Sequence, residues 1–182
     1  MRLEVVMFLL FLGVHILPAA LSAGAEPAAD RVSRSFTQHI LAPPQRVFDL
    51  LGPVKESEWA DGWKVRMIYP ASGEPQKGCI FTVPSEAGET VWTITTYDPK
   101  MFEIAYFVVW PGDHTVDIDI VLSKNADDTT AAHLTYTYTA LSEAGAKSVA
   151  AFTEEKWNRH MTAWETAMNH YLVTGKLLPH HE

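Results

Sequence analysis

The stretch Phe102-Glu103-Ile104-Ala105-Tyr106-Phe107-Val108-Val109-Trp110 decides the reading of the chain. Successive side chains of an extended strand point to opposite faces, so Phe102, Ile104, Tyr106, Val108 and Trp110 fall on one side. Residues 115–122 repeat the pattern, with Val116, Ile118 and Ile120 against Thr115, Asp117 and Asp119. Residues 131–140 repeat it again, with Leu134, Tyr136 and Tyr138 against His133, Thr135, Thr137 and Thr139. One sheet face is therefore aliphatic and aromatic, and the other is rich in Thr and Asp and faces water.

Outward from this core the same texture continues. Residues 64–69, 78–83 and 90–97 read as further strands, with Val65, Met67, Tyr69, Trp92 and Ile94 extending the inner face. Turn clusters separate them, among them Asp98-Pro99-Lys100, Pro111-Gly112-Asp113 and Asn125-Ala126-Asp127-Asp128. Short strands joined by short loops make an antiparallel meander. Upstream, residues 31–41 alternate as a first strand. Pro43-Pro44 then opens a short helix carrying Val47, Leu50 and Leu51, Gly52-Pro53 stops it, and a second short helical piece covers 54–59. Downstream, Ser142 can cap a helix with Glu143 in its first turn, and no proline follows before Gly175. This predicts one helix of about 32 residues, roughly 48 Å long, with Val149, Phe152, Lys156, His160, Trp164, Ala167 and Tyr171 along one stripe. The fold class is α+β: a curved antiparallel sheet of about seven strands around a long C-terminal helix, with two short helices after the first strand. A curved sheet wrapped around a helix need not fill the space between them, and aromatics on the facing surfaces can then wall a cavity.

Composition narrows the function. The 182 residues carry 14 Lys+Arg against 22 Asp+Glu, a net charge of −8, which argues against a nucleic-acid partner and against charge-driven docking on anionic lipid. At 47% hydrophobic and 20% charged the chain is globular in composition. Cys79 is the one cysteine, so no internal disulfide can form. The histidines lack metal-ligand spacing, and there is no Gly-x-Gly-x-x-Gly, Walker loop or Gly-x-Ser-x-Gly. No metal, nucleotide or other cofactor is called for.

Residues 1–25 differ from the rest. A basic start at Arg2, an apolar run from Val5 to Leu17, and small residues ending in Ala23-Gly24-Ala25 have the layout of a signal peptide cleaved before Glu26. This predicts a periplasmic or secreted protein, with the mature domain over 31–178. An uncleaved membrane anchor is the other reading, since residues 5–23 are just long enough to span; His15 and Pro18 make them a poor span.

Several local motifs then carry a family resemblance across residues 31–178. They are Ala42-Pro43-Pro44-Gln45-Arg46-Val47-Phe48, Glu58-Trp59 with Gly62-Trp63, Tyr69-Pro70-Ala71-Ser72-Gly73, Gly78-Cys79-Ile80-Phe81, and Trp92 with Tyr97-Asp98-Pro99. Toward the C-terminus come Thr139-Ala140-Leu141-Ser142-Glu143-Ala144-Gly145, Phe152-Thr153-Glu154-Glu155, Trp164-Glu165 and Asn169-His170-Tyr171-Leu172. In these the chain resembles the START-like, Bet v 1-like helix-grip superfamily (SRPBCC), and it is closest to bacterial-type members. The resemblance implies a deep apolar cavity between sheet and long helix. Members bind or carry lipids, sterols and polyketides, some cyclise or hydrate bound substrates, and some assist chaperones. They share no catalytic motif, so no catalytic residue is carried over. The signal-like start departs from the many cytoplasmic members.

The residues placed at the cavity follow from the inner faces. From the sheet they are Met67, Tyr69, Trp92, Ile94, Tyr106, Val108, Ile118, Tyr136 and Tyr138. From the last helix they are His160 and Trp164, four residues apart. His160 is either a polar anchor or acid–base group, or a core histidine bonded to a neighbouring Tyr. The inward Tyr hydroxyls need partners, which a ligand, a water or another side chain can supply. Trp59 and Trp63 read equally as a cavity rim or as a pair sealing the sheet edge. Asp117 and Asp119 alternate with aliphatics and belong to a solubilising outer face. The first functional reading is an exported module holding an apolar small molecule or lipid. The second is a cyclase, dehydratase or hydrolase acting on a polyketide-like or aromatic substrate in the same cavity. The third is a structural or partner-binding protein with a filled core. Oligomeric state is left open.

Overall fold

A computed structural model describes residues 30–85 and 88–178. The signal-peptide reading of residues 1–25 lies outside them. Alternation of side chains over seven segments produces one antiparallel sheet. Its strands are β1 (Arg31–Ile40), β2 (Arg66–Tyr69), β3 (Ile80–Ser85), β4 (Gly88–Asp98), β5 (Glu103–Trp110), β6 (His114–Lys124) and β7 (Thr130–Ala140), in the spatial order β1-β7-β6-β5-β4-β3-β2. Every neighbour except β1 against β7 is joined in sequence, so six of the strands form the expected meander. Between β1 and β2 lie α1 (Pro44–Phe48), with Pro44 in its first turn, and a single 3-10 turn at Lys55–Glu58.

The sheet bends where its register slips. In β4 the pairing with β5 passes from Ile94↔Tyr106 to Thr96↔Ala105, leaving Thr95 as an extra residue. This bulge changes the parity of the strand, so Trp92 and Ile94 face inward before it and Tyr97 after it, packed on Phe48 at 5.3 Å. The outer face carries the polar set. Ser33 bonds Thr137, Ser35 bonds Thr135, and Asp117 lies 3.8 Å from Arg31.

The C-terminal segment departs from the single helix that the sequence suggests. It is two helices, α2 (Glu143–Ala151) and α3 (Glu154–Thr174), broken at Phe152-Thr153. Thr153 is extended and its side chain accepts from the Lys156 N–H, while Glu154 and Glu155 occupy the first turn of α3. Arg34 of β1 fixes the break by donating to the Phe152 carbonyl at 2.9 Å. Upstream, Ser142 caps α2 by accepting from Gly145. Gly145 has a steric reason: a Cβ there would lie 1.7 Å from the Asp113 carbonyl oxygen. Only glycine lets α2 come this close to the β5–β6 turn. At the far end Gly175 adopts a left-handed conformation and stops α3.

The buried stripe of α3 is also one position away from the expected one. Trp157, Met161, Met168 and Leu172 are buried against the sheet, whereas Lys156 is exposed and bonds the Ala151 carbonyl. His160, Trp164, Ala167 and Tyr171 lie on the flank of that stripe. Their side of α3 borders open space rather than packed core.

Candidate functional site

The cavity forms because α2 and α3 cross the concave sheet face without filling it. Its volume is about 330 Å³, at the lower end of the usual range for small-molecule sites, about 300–1,000 Å³. Strands β4 to β7 contribute Trp92, Trp110, His114, Val116, Ile118, Tyr136 and Tyr138. Trp63 enters from the segment before β2, while Ser148, Val149 and Phe152 close the α2 end and His160 and Trp164 the α3 side.

Aromatic edges and faces hold the walls in place. Trp63 meets Trp92 edge-on at 5.3 Å, and Trp110 stacks on His114 at 4.7 Å with an interplanar angle of 12°. Tyr138 packs on Phe152 at 5.4 Å. A second, open hollow of about 300 Å³ lies on the other side of His160 and Trp164, bordered by Trp59, Ala60, Asp61 and Leu178. His160 and Trp164, 5.2 Å apart, thus form a partition between two spaces.

Of the residues singled out in the sequence, the structure brings Trp63, Trp92, Ile118, Tyr136, Tyr138, His160 and Trp164 to this cavity. The others are elsewhere. Trp59 is buried, its indole N–H bonded to the Leu50 carbonyl at 2.9 Å and its ring edge-on to Trp164. The pair Trp59 and Trp63 therefore divides, one packed in the core and one on the cavity wall. Ile94 and Val108 are sealed in the core beneath the walls. Tyr106 is buried and donates its hydroxyl to the Leu51 carbonyl, so that hydroxyl is already partnered by protein. Met67 packs half-buried against the core at the sheet edge. Tyr69 is exposed, because the β2–β3 register shifts between Met67 and Tyr69 and reverses the side the last residue faces.

Five wall residues were missed although their signals were present. Trp110 lay on the inner face already recognised in β5, and Val116 on that of β6. His114 is two residues before Val116 on the same face, and it pairs with Trp110 across the hairpin. Phe152 and Val149 were on the expected helical stripe. Ser148 has no such signal; it is there because its hydroxyl reaches Asp113 at 3.0 Å.

The polar groups facing the cavity are few. Burial lowers the His160 pKa, which keeps the imidazole neutral near neutral pH, able to donate at one nitrogen and accept at the other. Burial raises Tyr136 and Tyr138 well above the usual phenol range, so both remain protonated. Neither hydroxyl has a hydrogen-bond partner among the described residues, and His160 has none either. In place of the expected core histidine stands an exposed residue at the cavity margin, with no hydrogen-bond partner among the described residues. No group of three or more His, Cys, Asp or Glu is placed to hold a metal among the described residues. No described helix is long and apolar enough to cross a membrane.

Comparisons with known proteins agree on the fold. No sequence-family model matches the chain, and no match is found among curated proteins. Solved structures do match. Norcoclaurine synthase from Thalictrum flavum, in a truncated form, aligns over 82% of this chain and 98% of its own at TM-score 0.63 and 12% identity. Ara h 8.0201 aligns over 80% and 99% at TM-score 0.58 and 12% identity. DynU16, a putative protein of the dynemicin biosynthetic locus, aligns over 79% of this chain but 48% of its own, at TM-score 0.54 and 15% identity. The fold is that of the Bet v 1-like helix-grip superfamily.

Proposed function

We propose that this protein binds an apolar small molecule in the cavity between the sheet and helices α2 and α3, and that it does so after export. The carrying observation is the hollow of about 330 Å³ walled by Trp63, Trp92, Trp110, Tyr136, Tyr138 and Trp164. Burying about 200 Å² of ligand apolar surface there is worth about 5 kcal/mol before the cost of association. That favours aromatic or polycyclic molecules, whose faces match the ring-lined walls. One neighbour of the same fold, norcoclaurine synthase, has been solved in complex with dopamine and hydroxybenzaldehyde, which supports aromatic ligands of this size. His160 and the hydroxyls of Tyr136 and Tyr138 are the groups that orient the ligand. Support for export is the layout of residues 1–25 alone, and N-terminal sequencing of the mature protein should begin at Glu26.

The enzymatic reading requires a second titratable group within hydrogen-bond reach of His160, and among the described residues His160 has no such partner. Binding is the simpler conclusion. The test uses N-phenyl-1-naphthylamine, a neutral probe whose fluorescence rises in apolar surroundings. Trp164→Ala should weaken its binding by about tenfold or more, while Asp117→Ala on the wet face stays within about twofold. Equal effects of the two substitutions, or no binding by the unaltered protein, would overturn the proposal.

A further inference from the structure

Among the described residues, Glu56 is the one carboxyl group that the fold buries without giving it a protein partner. It lies in the 3-10 turn between Lys55 and Glu58, is only 7% exposed, and makes no side-chain hydrogen bond or ion pair among the described residues. Its neighbours in sequence are different. Lys55 and Glu58 pair with each other at 2.7 Å in solvent, and Glu58 also accepts from Tyr171. Glu56 instead borders a void of about 20 Å³, together with Leu51, Trp92, Tyr106, Tyr136 and Trp164. That is room for one water or one carbonyl oxygen. Three of those walls, Trp92, Tyr136 and Trp164, with Ile118 beside them, also line the large cavity. The void thus adjoins the proposed ligand site as a small pit that shares four of its walls. Leaving a polar group buried and unpaired is costly, so such a group is retained where something else satisfies it.

We propose that Glu56 is the polar anchor of this site and, as a carboxylic acid, donates a hydrogen bond to a carbonyl oxygen that an uncharged aromatic ligand projects into the pit. The inference rests on the cavity being a ligand site, and adds the chemical class of the ligand. Burial pushes the Glu56 pKa up to about 8, so the donor form prevails at neutral pH. The pit offers the ligand little else. Tyr106 from β5 is committed to the Leu51 carbonyl, which leaves Tyr136 from β7 as the other hydroxyl there. Helix α3 contributes only the indole of Trp164 to this wall, and β4 only that of Trp92.

Nothing else near the pit titrates in the same window. Tyr106, Tyr136 and Tyr138 are raised by burial, as are Tyr97 on β4 and Cys79 before β3, while His160 is lowered. Between pH 6.5 and 9 only Glu56 changes charge among these groups.

The test compares 2-acetylnaphthalene with 2-ethylnaphthalene, which share a shape and differ in the carbonyl, by tryptophan fluorescence of the full chain. The ketone should bind about tenfold more tightly at pH 6.5. That preference should vanish as the pH rises through about 8. Glu56→Gln keeps a donor without the titration, so the preference should persist at every pH; Glu56→Leu should abolish it throughout. Equal binding of both probes at pH 6.5 overturns the anchor and leaves the cavity reading standing. Binding of neither sinks both. If Glu56→Leu does not fold, Glu56→Gln still decides, because a preference that continues to fall with pH in that variant assigns the effect to another group.

Discussion

Helix α3 has two flanks, and they are built on opposite terms. On the side facing β1 the polar groups are matched by named partners, with the buried Nε of Arg34 the exception. Gln38 donates to the Met161 carbonyl at 2.8 Å, the Trp157 indole donates to the Ser35 carbonyl, and Arg46 reaches the Leu172 carbonyl at 2.9 Å. Asn169 closes the free edge of β1, accepting from the Leu41 N–H and donating to the His39 carbonyl. On the side facing β4 to β7 the helix stands off the sheet, and Tyr136, Tyr138, His160 and Glu56 keep unused hydrogen-bonding capacity. The first flank holds the helix in place. The second leaves polar groups without protein partners, which under the proposed function a ligand would satisfy.

The largest expected effect tests the packed flank. Trp157 is 1% exposed and touches Tyr136 at 4.9 Å. Trp157→Ala should cost about 3–5 kcal/mol in urea unfolding, by loss of apolar burial plus the void left behind. If the loss matched that of Trp164→Ala on the half-buried flank, the two sides would not differ as described.

The next effect has the opposite sign. Glu56 titrates near 4.5 when unfolded and at about 8 in the folded chain. Between those values the native state holds the proton more tightly, so the stability this gives is complete below pH 4.5 and is lost as the pH rises through about 8. Glu56→Gln removes the ionisation and should therefore raise stability relative to the unaltered protein at pH 8, by on the order of a few kcal/mol. The gain should disappear below pH 4.5. Thermal melts at the two pH values measure it, and a gain of equal size at both would show that ionisation is not its cause.

This contrast also marks where the sequence was legible. The sheet and most of its inner face were, because a period of two runs through β1, β6 and β7. Tyr69 escaped that rule because a register shift at the end of β2, just before Pro70, reverses the parity of the last residue. His114 escaped because the strand was begun one residue late. The helix break was hidden inside a run free of proline, although Thr153-Glu154-Glu155 is a capping signature in the middle of it. Glu56 could not be read at all. In Lys55-Glu56-Ser57-Glu58 every residue looks solvated, and only the pressing of that turn against Leu51, Tyr106 and Tyr136 buries one of them.

The smallest expected effect is the most discriminating, since it compares two tyrosines of one sheet face. Tyr106 donates to a backbone carbonyl, whereas the Tyr138 hydroxyl has no protein partner among the described residues. Tyr106→Phe strips the Leu51 carbonyl of its donor in a buried place and should cost about 1–2 kcal/mol. Tyr138→Phe removes a hydroxyl that the protein itself does not use, and should change stability by less than about 0.5 kcal/mol. The consequence of Tyr138→Phe belongs instead to binding of any ligand that needs that hydroxyl. Chemical unfolding of the two variants side by side checks the pair. A Tyr138 loss as large as that of Tyr106 would mean the hydroxyl has a structural partner, and the hollow flank would then be more completely satisfied than its geometry shows.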